Sequence, residues 1–468
     1  MSDVLRFPVV IVGAGGTGLS AALAVADAGI DVLVIERDPT PLGSTAMSTG
    51  LIPAAGTPEQ AAAGIADDPA RFVADIMAKT KGRTDAVIAR CLADESAETI
   101  AWLRDRHGVP LALADGWLYP GHSAMRMYGT PNRSGGELMA GLQAAAEQAG
   151  VPILTEATVI DLIAERDRVT ELVVERPDGT REQIGCDALI LASSGFGGAA
   201  DQVARWIPEM AAAVYHGHPG NKGDAVRWGG ALGAAIADMS GYQGHGGLAA
   251  GHGIPILWPL IMEGGFQVNS RGMRFSNEAT GYSEQAARVN AQPGHVAWSV
   301  FDDRLHSLML GFDDYKDAMS AGAVIRGDDI AQLATLTKLP VDALSASIGD
   351  VAAMVAGERP DPFGRDFTGK PPLVAPFYAA KVTGALFHTQ GGLVVDRDAR
   401  VLKTDGTPMP NLFAGGGAAR GISGDGADGY LAGNGLLTAT TLGKLAGRAA
   451  AEQVRSQAGC ASFDSDRS

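Results

Sequence analysis

The apolar and polar positions at the start of the chain follow the order of a strand, a helix and a second strand. Residues 9–12 form an uninterrupted apolar run, and a cluster of glycines separates it from an alanine-rich stretch that ends at Gly29. A second apolar run covers residues 32–35 and ends on Glu36. Short apolar runs bounded by glycines are typical of buried strands, so this pattern predicts a βαβ unit.

The glycine cluster has the spacing of a dinucleotide-binding turn. Gly13 permits a tight turn, Gly15 lets the backbone approach a pyrophosphate, and Gly18 lets the helix pack closely against the strand. The N-terminus of the helix directs N–H groups and the positive end of its dipole towards the phosphates. Glu36 can accept hydrogen bonds from ribose hydroxyls, and an acid at this place disfavours NADP.

The remaining pattern predicts a second domain inserted into the first. Residues 240–387 hold many aromatic residues, prolines and short helices, whereas the segments on either side alternate between strands and helices. We therefore expect a nucleotide-binding domain at residues 1–239 and 388–468 and a substrate domain at residues 240–387. The first domain includes two predicted helices and four predicted strands, at residues 84–107, 136–149, 158–163, 172–174, 188–192 and 411–414.

Composition narrows the function classes. The 468 residues carry a net charge of −16, which disfavours a nucleic-acid partner. The three scattered cysteines fit a reducing compartment and match neither a disulfide framework nor a metal, haem or iron–sulfur site. Residues 8–26 lack charge and resemble a signal peptide, but their glycine cluster would break an apolar helix. We expect a cytoplasmic protein without an integral membrane segment or a metal.

The βαβ unit is the first of seven motifs that occur in one order along nearly the whole chain. In this order they resemble the flavoprotein family of fumarate reductases, succinate dehydrogenases and ketosteroid dehydrogenases. The resemblance implies an α/β fold, with a Rossmann-like FAD-binding domain of the glutathione-reductase type and an inserted α+β substrate (capping) domain. The other six motifs are Gly43-Ser44-Thr45, Ala192-Ser193-Ser194-Gly195, Gly223-Asp224, His388-Thr389-Gln390-Gly391-Gly392, the glycine-rich strand end at residues 414–417, and Gly433-Asn434-Gly435-Leu436.

FAD is the cofactor that this resemblance implies. A helix beginning near Asn434 would point at the pyrimidine end of the flavin, where the reduced ring carries negative charge. The loop at residues 43–50 holds no histidine, so we expect non-covalent binding. Gly417 departs from relatives that often carry an acid or amide there. The implied FAD contacts are Gly13, Gly15, Gly16, Thr17, Gly18, Glu36, Arg37, Ser44, Thr45, Ala157, Ala192, Ser193, Gly195, Asp224, Gly416, Gly417, Asn434, Gly435, Leu436 and Leu437.

Two tyrosines stand where fumarate reductases carry catalytic arginines. Aligning the family motifs places Tyr282 at the proton-delivering arginine and Tyr430 at the arginine that clamps a substrate carboxylate. A guanidinium is permanently charged and grips carboxylates, whereas a neutral phenol can donate one hydrogen bond to a carbonyl or accept a proton. Resemblance to ketosteroid dehydrogenases implies that Tyr430 polarises a ketone, that Tyr282 removes the α-proton, and that Tyr119 tunes Tyr282.

Further polar residues indicate a substrate with a second polar or acidic group. His245, His388 and Thr389 match substrate contacts of fumarate reductases, although Trp258 and Pro259 stand near the place of the usual Thr-Glu pair. For each histidine a structural role in the core is an equal alternative. Arg126 and Arg133 could bind a substrate carboxylate, but surface ion pairs are the commoner role of such residues.

The expected reaction is an FAD-dependent desaturation of the α,β bond next to a ketone. The substrate would be a steroid-like or smaller cyclic ketone, or a small cyclic oxo-acid, and the sequence does not indicate the electron acceptor. Two alternatives remain open at this stage. One is a fumarate-reductase-like ene-reductase of an unsaturated carboxylic acid, and the other is a non-catalytic flavoprotein subunit.

Overall fold

The structure is a computed structural model that describes residues 4–114 and 118–465. Its strands, in chain order, are β1 Leu5–Val12, β2 Val32–Ile35, β3 Ile52–Pro53, β4 Ala112–Leu113, β5 Met127–Gly129, β6 Ile153–Leu154, β7 Thr158–Glu165, β8 Arg168–Glu175, β9 Arg181–Leu191, β10 Val214–Tyr215, β11 Ile236–Ala237, β12 Tyr242–Ala249, β13 Phe266–Val268, β14 Val296–Asp302, β15 Val324–Gly327, β16 Phe377–Thr389, β17 Gly392–Leu393, β18 Arg400–Leu402 and β19 Pro408–Ala414.

The α-helices are joined by a few short 3₁₀ segments and one π-helical turn. That turn, Trp102–Arg106, extends the helix predicted at residues 84–107. The α-helices, in chain order, are α1 Gly16–Asp27, α2 Gly43–Ala46, α3 Pro58–Ala62, α4 Pro69–Thr80, α5 Ala86–Ala101, α6 Gly135–Gln148, α7 Ala200–Trp206, α8 Asp224–Ala231, α9 Pro259–Met262, α10 Tyr282–Asn290, α11 Asp303–Met309, α12 Asp313–Ser320, α13 Ile330–Thr337, α14 Val341–Val355 and α15 Asn434–Ser465.

The chain divides into two compact units. The first contains the described residues of Met1–Gln202, Gly217–Tyr242 and Thr389–Ser468, and the second contains Val203–His216 and Gln243–His388. The sequence placed residues 203–216 in the first domain, but the structure groups them with the second unit. The reason is that β10 pairs in parallel with β16, where Val214 lies opposite Ala385.

The first unit is built on an eight-stranded sheet with the order β18-β19-β9-β1-β2-β6, and β7 and β8 continue from β9. The central strands are parallel, with Val9 opposite Val32 on one side and Ala188 on the other. This strand–helix–strand core confirms the predicted βαβ unit. Helix α1 lies against β1 so closely that a Cβ on Gly18 would stand 1.8 Å from the carbonyl oxygen of Gly13.

The second unit is a mixed six-stranded sheet with short helices around it. Its strand order is β10-β16-β14-β13, and β12 and β15 also pair with β16. Strands β14 and β16 are antiparallel, and Val300 and Ala379 lie opposite each other in a fully buried position. Strands followed by short helices make this an α+β unit inserted into an α/β chain, which is the predicted fold class.

Two buried arginines organise the loop that leads into α10. Arg274 contacts Glu278 at 2.9 Å and Asp361 at 2.7 Å, and Arg365 reaches Glu278 at 3.0 Å. All four side chains are almost fully buried, so the ion pairs compensate one another's charge. They fix the segment that ends at Tyr282, the first residue of α10.

No helix within residues 4–114 and 118–465 is both long enough and apolar enough to cross a membrane.

Candidate functional site

The glycine-rich turn after β1 leaves room beside its backbone. Gly13 has φ +103°, and a Cβ there would lie 2.6 Å from the carbonyl oxygen of Ala192, so only glycine fits this turn. Gly15 differs, because a Cβ added to it would meet nothing nearer than the Thr45 hydroxyl at 3.8 Å. Helix α1 begins at the next residue, Gly16. The open space therefore adjoins a helix N-terminus, which suits a phosphate group.

Glu36 is held at the end of β2 by two backbone N–H groups. Its carboxylate accepts from Ala14 N–H at 2.7 Å and from Asp38 N–H at 3.0 Å. Each carboxylate oxygen keeps a further lone pair, so the group can also accept from ribose hydroxyls. The neighbouring Arg37 donates to the carbonyl of Gly220 at 2.8 Å. It thereby ties the end of β2 to the loop before α8.

Ser44 and Thr45 lie in the short helix α2 and bind protein backbone with their hydroxyl oxygens. Thr45 Oγ1 accepts from Gly16 N–H at 3.1 Å. Ser44 Oγ accepts from His218 N–H at 3.1 Å and from Asn221 Nδ2 at 2.8 Å. Because each of these oxygens accepts in these contacts, each hydroxyl proton can be donated to another acceptor.

Two predicted cofactor residues bury polar atoms for which the described residues provide no partner. These atoms are Ser193 Oγ, after β9, and both Nδ2 and Oδ1 of Asn434, at the start of α15. Buried polar groups without partners are costly, so they favour a polar ligand in contact with these residues. The implied FAD contacts all belong to the first unit, and the remaining ones in its turns and helix starts are Thr17, Ala157, Ala192, Gly195, Asp224, Gly416, Gly417, Gly435, Leu436 and Leu437.

Tyr430 also lies in the first unit and is only 7% exposed. Burial raises the pKa of its phenol above the ordinary value. The backbone N–H groups of Gly435 and Gly433, which hydrogen-bond to the phenol oxygen, lower this pKa. Burial is the stronger effect, so the phenol keeps its proton at neutral pH. A neutral phenol can accept N–H hydrogen bonds at its oxygen and donate one through its O–H.

Tyr119 packs in a small apolar cluster with Leu51, Met127 and Ala432. Burial raises the pKa of this tyrosine, and the charge of Arg133 opposes the shift. The predicted effect of Tyr119 on Tyr282 stays a prediction.

The structure contradicts the role that the sequence predicted for Arg126. Its side chain is 0% exposed and contacts Asp67 at 2.8 Å and Asp75 at 2.6 Å. Two carboxylates therefore neutralise it in the core, and the expectation that it binds a substrate carboxylate is wrong. It was also not the surface ion pair that was weighed against that role.

In the second unit, Tyr282 belongs to a cluster of aromatic rings around His245. The centroid of the His245 ring lies 5.4 Å from that of Tyr282, 5.7 Å from Trp258 and 5.2 Å from Phe387, on which it stacks. The sequence predicted His245 and Tyr282 as site residues but neither Trp258 nor Phe387. Trp258 offered a signal, because it stands near the place where the family carries its Thr-Glu pair.

His245 is a neutral imidazole with a defined tautomer. Its Nδ1 accepts from Gly247 N–H at 3.1 Å, so the ring proton lies on Nε2. Burial, with a smaller contribution from the charge of His216, lowers the pKa of His245 to about 3. The ring can therefore donate one hydrogen bond without carrying charge.

His388 and Thr389 are consecutive residues at the end of β16. His388 is half-buried in the second unit, while Thr389 is buried in the first. Thr389 Oγ1 accepts from Phe196 N–H at 3.2 Å and so supports the turn after β9. Within the described residues, no group of three or more histidines, cysteines or carboxylates could hold a metal ion.

Comparison with known families decides the cofactor. A model described as an FAD binding domain matches residues 8–436. The chain belongs to this family. The open space at Gly15, the fixed carboxylate of Glu36 and the unpartnered polar atoms of Ser193 and Asn434 fit FAD, and these residues would hold it.

Similar proteins include both branches of the predicted resemblance. A probable fumarate reductase of Shewanella frigidimarina is 28% identical over 95% of this chain and 75% of its own length. A 4-oxocyclohex-2-ene-1-carboxylate 5-dehydrogenase of Sinomonas cyclohexanicum is 28% identical over 67% of this chain and 59% of its own length. The structure of a 3-ketosteroid Δ4-(5α)-dehydrogenase of Rhodococcus jostii shares the fold, with a TM-score of 0.76, 23% identity and coverage of 96% and 98%.

These similarities confirm the predicted superfamily and the α/β fold class. The protein is an FAD-dependent oxidoreductase of the class that acts on CH–CH groups, so the alternative of a non-catalytic flavoprotein subunit is wrong.

Proposed function

We propose that this flavoenzyme desaturates the α,β C–C bond beside the ketone of a small cyclic ketone or cyclic oxo-acid. In this proposal FAD and Tyr430 belong to the first unit, and Tyr282 and His245 belong to the second. The observation that carries the proposal is the buried, neutral phenol of Tyr430 with two backbone N–H groups at its oxygen. Bound FAD supplies a two-electron acceptor for hydride.

Tyr430 polarises the ketone in this proposal. Its O–H donates to the carbonyl oxygen, and the N–H groups of Gly433 and Gly435 stabilise the phenol oxygen as negative charge grows on the substrate. Because burial keeps the phenol protonated, the donor is present at neutral pH. Such preorganised donors act on the enolate-like transition state more than on the ketone itself.

Tyr282 accepts the α-proton of the substrate. It is the first residue of the nine-residue helix α10, where the positive end of the helix dipole favours the phenolate form that would act as the base. The α-carbon would lose its proton to the phenolate of Tyr282, and the electron pair of that C–H bond would form the new C=C bond as hydride leaves the β-carbon. The substrate thus loses one proton and one hydride, and the hydride carries away the electron pair of the β C–H bond.

His245 is suited to donate one hydrogen bond to an oxygen atom of the substrate. Its Nε2–H is a neutral donor, so it can orient a carbonyl or carboxylate oxygen but cannot neutralise a charge. The relative from Sinomonas acts, by its name, on a cyclic ketone that carries a carboxylate. This similarity supports a cyclic oxo-acid over a steroid as the substrate. The small number of scattered cysteines supports a cytoplasmic location.

A second candidate is reduction of an unsaturated carboxylic acid. The fumarate reductase of Shewanella matches more of this chain than the cyclohexene carboxylate dehydrogenase does. Tyrosines at positions 282 and 430 are the observation against it, because neither phenol can grip a carboxylate as a guanidinium does.

Anaerobic spectroscopy of the flavin separates the two candidates. The purified yellow enzyme is mixed with 4-oxocyclohexane-1-carboxylate, cyclohexanone or a 3-ketosteroid, and the flavin absorbance near 450 nm is followed. We expect one of the ketones, with the oxo-acid first, to bleach it. If no ketone does so, while fumarate-type acids reoxidise the dithionite-reduced flavin, the proposal is wrong and the second candidate holds.

A further inference from the structure

A buried histidine, His122, binds the turn that carries Tyr430, although its partner in that turn lies 310 residues away in the sequence. His122 is 5% exposed, and its Nε2 lies 3.0 Å from the carbonyl oxygen of Ala432. Ala432 follows Tyr430 by two residues and forms a peptide group with Gly433. His122 lies outside all seven family motifs.

The partners of His122 define its protonation. A carbonyl oxygen can only accept, so the Nε2 that faces Ala432 carries the proton. Arg126 Nη1 can only donate, so the Nδ1 at 3.3 Å from it is the acceptor. Burial, followed by the charge of Arg126, lowers the pKa of His122 to about 4. Both ring nitrogens of a neutral imidazole are therefore engaged.

Arg126 gives this histidine a rigid support. Its Nε and Nη2 bind the two oxygens of Asp67 at 2.9 and 2.8 Å, and Nη1 binds Asp75 at 2.6 Å. The guanidinium also lies over the ring of Phe72, 4.5 Å from its centroid. A bidentate pair, a second carboxylate and an aromatic face leave the guanidinium one orientation.

The peptide group between Ala432 and Gly433 joins His122 to Tyr430. A peptide group is planar and trans, so its C=O and N–H point in opposite directions. His122 holds the C=O of this group, and the N–H of the same group, which belongs to Gly433, acts on the phenol oxygen of Tyr430. Rotation of this one peptide plane would break both hydrogen bonds at once.

We infer that His122 is a positioning residue for Tyr430, which it orients through the peptide group of Ala432 and Gly433 with Arg126 as its support. The inference rests on the proposed function of Tyr430. The chain from Arg126 to the phenol also polarises each hydrogen bond in the same direction, which makes the N–H of Gly433 a stronger donor.

Leucine and glutamine variants of His122 test this role. His122→Leu removes the donor to Ala432 at similar volume, whereas the amide of His122→Gln restores an N–H at similar reach. We expect kcat with the ketone to fall about tenfold or more in His122→Leu with KM within about twofold, since an oxyanion-type contact is weakened. In His122→Gln, kcat should return to within about threefold of the original.

A second measurement needs no substrate. In protein labelled with 3-fluorotyrosine, the ¹⁹F resonance of Tyr430 is the one that Tyr430→Phe removes. We expect it to shift in His122→Leu and to return in His122→Gln. His107→Leu is the matched control, because a half-buried histidine of the same unit loses its contact with Asp27. This variant should leave the Tyr430 resonance in place.

An unmoved Tyr430 resonance in folded His122→Leu would overturn the inference, as would a glutamine variant that behaves like leucine. If leucine prevents folding, His122→Met, which is unbranched and also lacks a donor, replaces it in the same comparison. A failure of every ketone as substrate would refute the proposed function, while the ¹⁹F resonance would still decide the inference.

Discussion

The two buried histidines of this protein differ in how many of their nitrogens the protein itself occupies. In the first unit, His122 has both nitrogens engaged, by Arg126 and by the carbonyl of Ala432. In the second unit, His245 has Nδ1 engaged by Gly247, and for its Nε2–H the structure records no acceptor in the described part of the chain. A fully engaged histidine holds protein in place, whereas a half-engaged one keeps a hydrogen bond for a ligand.

The surroundings extend this comparison. Around Tyr430 the polar groups bind one another, and the phenol receives backbone N–H groups. Around His245 the neighbours are aromatic faces, and the indole Nε1 of Trp258 is buried without a partner among the described residues. The first region would present the single donor of the proposed function, and the aromatic faces and buried indole N–H of the second would fit a flat ring with polar edges.

Tyr282→Phe should have the largest effect on turnover, because it removes the proposed base from the aromatic cluster around His245. We expect kcat to fall about 1,000-fold, within the range for loss of a general base. Turnover with an artificial acceptor measures it, and loss of α-proton exchange from the ketone into ²H₂O identifies the step. Tyr378→Phe, a tyrosine of the same unit that binds Asp303, is the control. Unchanged exchange would assign the base to another residue.

Tyr430→Phe tests the surroundings of Tyr430 in the first unit. We expect kcat to fall about 100-fold, the effect of losing one preorganised hydrogen-bond donor. Exchange of the α-proton should slow as well, since enolate formation needs the polarised carbonyl. Tyr128→Phe, which loses a hydroxyl bound by Thr57 and Glu59, serves as the matched control. If Tyr430→Phe raised KM and spared kcat, Tyr430 would bind the substrate without acting in the transition state.

The same contrast explains how much the sequence could predict. Gly13, Gly18 and Glu36 act through neighbours that lie close in sequence or in adjacent strands, so a local pattern identified them. Arg126 was misread because its partners, Asp67 and Asp75, stand 59 and 51 residues before it. His122 escaped notice because its carbonyl partner lies 310 residues later.

The predicted limits of the two domains were partly wrong for a similar reason. Residues 203–216 look like part of the surrounding αβ pattern, but the pairing of the short strand β10 with β16 and a contact of Met210 with Asn290 of α10 link them to the second unit. A two-residue strand has no periodicity that a sequence can display. The proposed catalytic roles of the tyrosines rest on resemblance, because nothing local in the sequence distinguishes a reactive phenol from a packing residue.

Trp258→Phe should have a smaller effect than either tyrosine variant. Phenylalanine keeps an aromatic face towards His245 but is smaller and lacks the indole N–H, so the proposed hydrogen bond to the ligand is lost. We expect KM to rise about threefold to tenfold with kcat little changed, as for one neutral hydrogen bond. Trp228→Phe, which removes another unpartnered buried indole N–H in the first unit, is the control. Equal KM values would exclude a role for Trp258 in substrate binding.

The smallest expected effect is a change in the pH dependence of stability. Burial lowers the pKa of His122 to about 4 and that of His245 to about 3, against an ordinary value of 6.5. Between 6.5 and those values the unfolded chain binds more protons than the folded one, so stability decreases as the pH falls through this window. His122→Gln should flatten the decrease of the urea midpoint between pH 6.5 and 4, because it removes one of the histidines whose pKa burial lowers. His252→Gln, at an exposed site, should not alter the profile. If both variants gave the slope of the original protein, His122 would not be held neutral, and the contrast between an engaged and a half-engaged histidine would lose its basis.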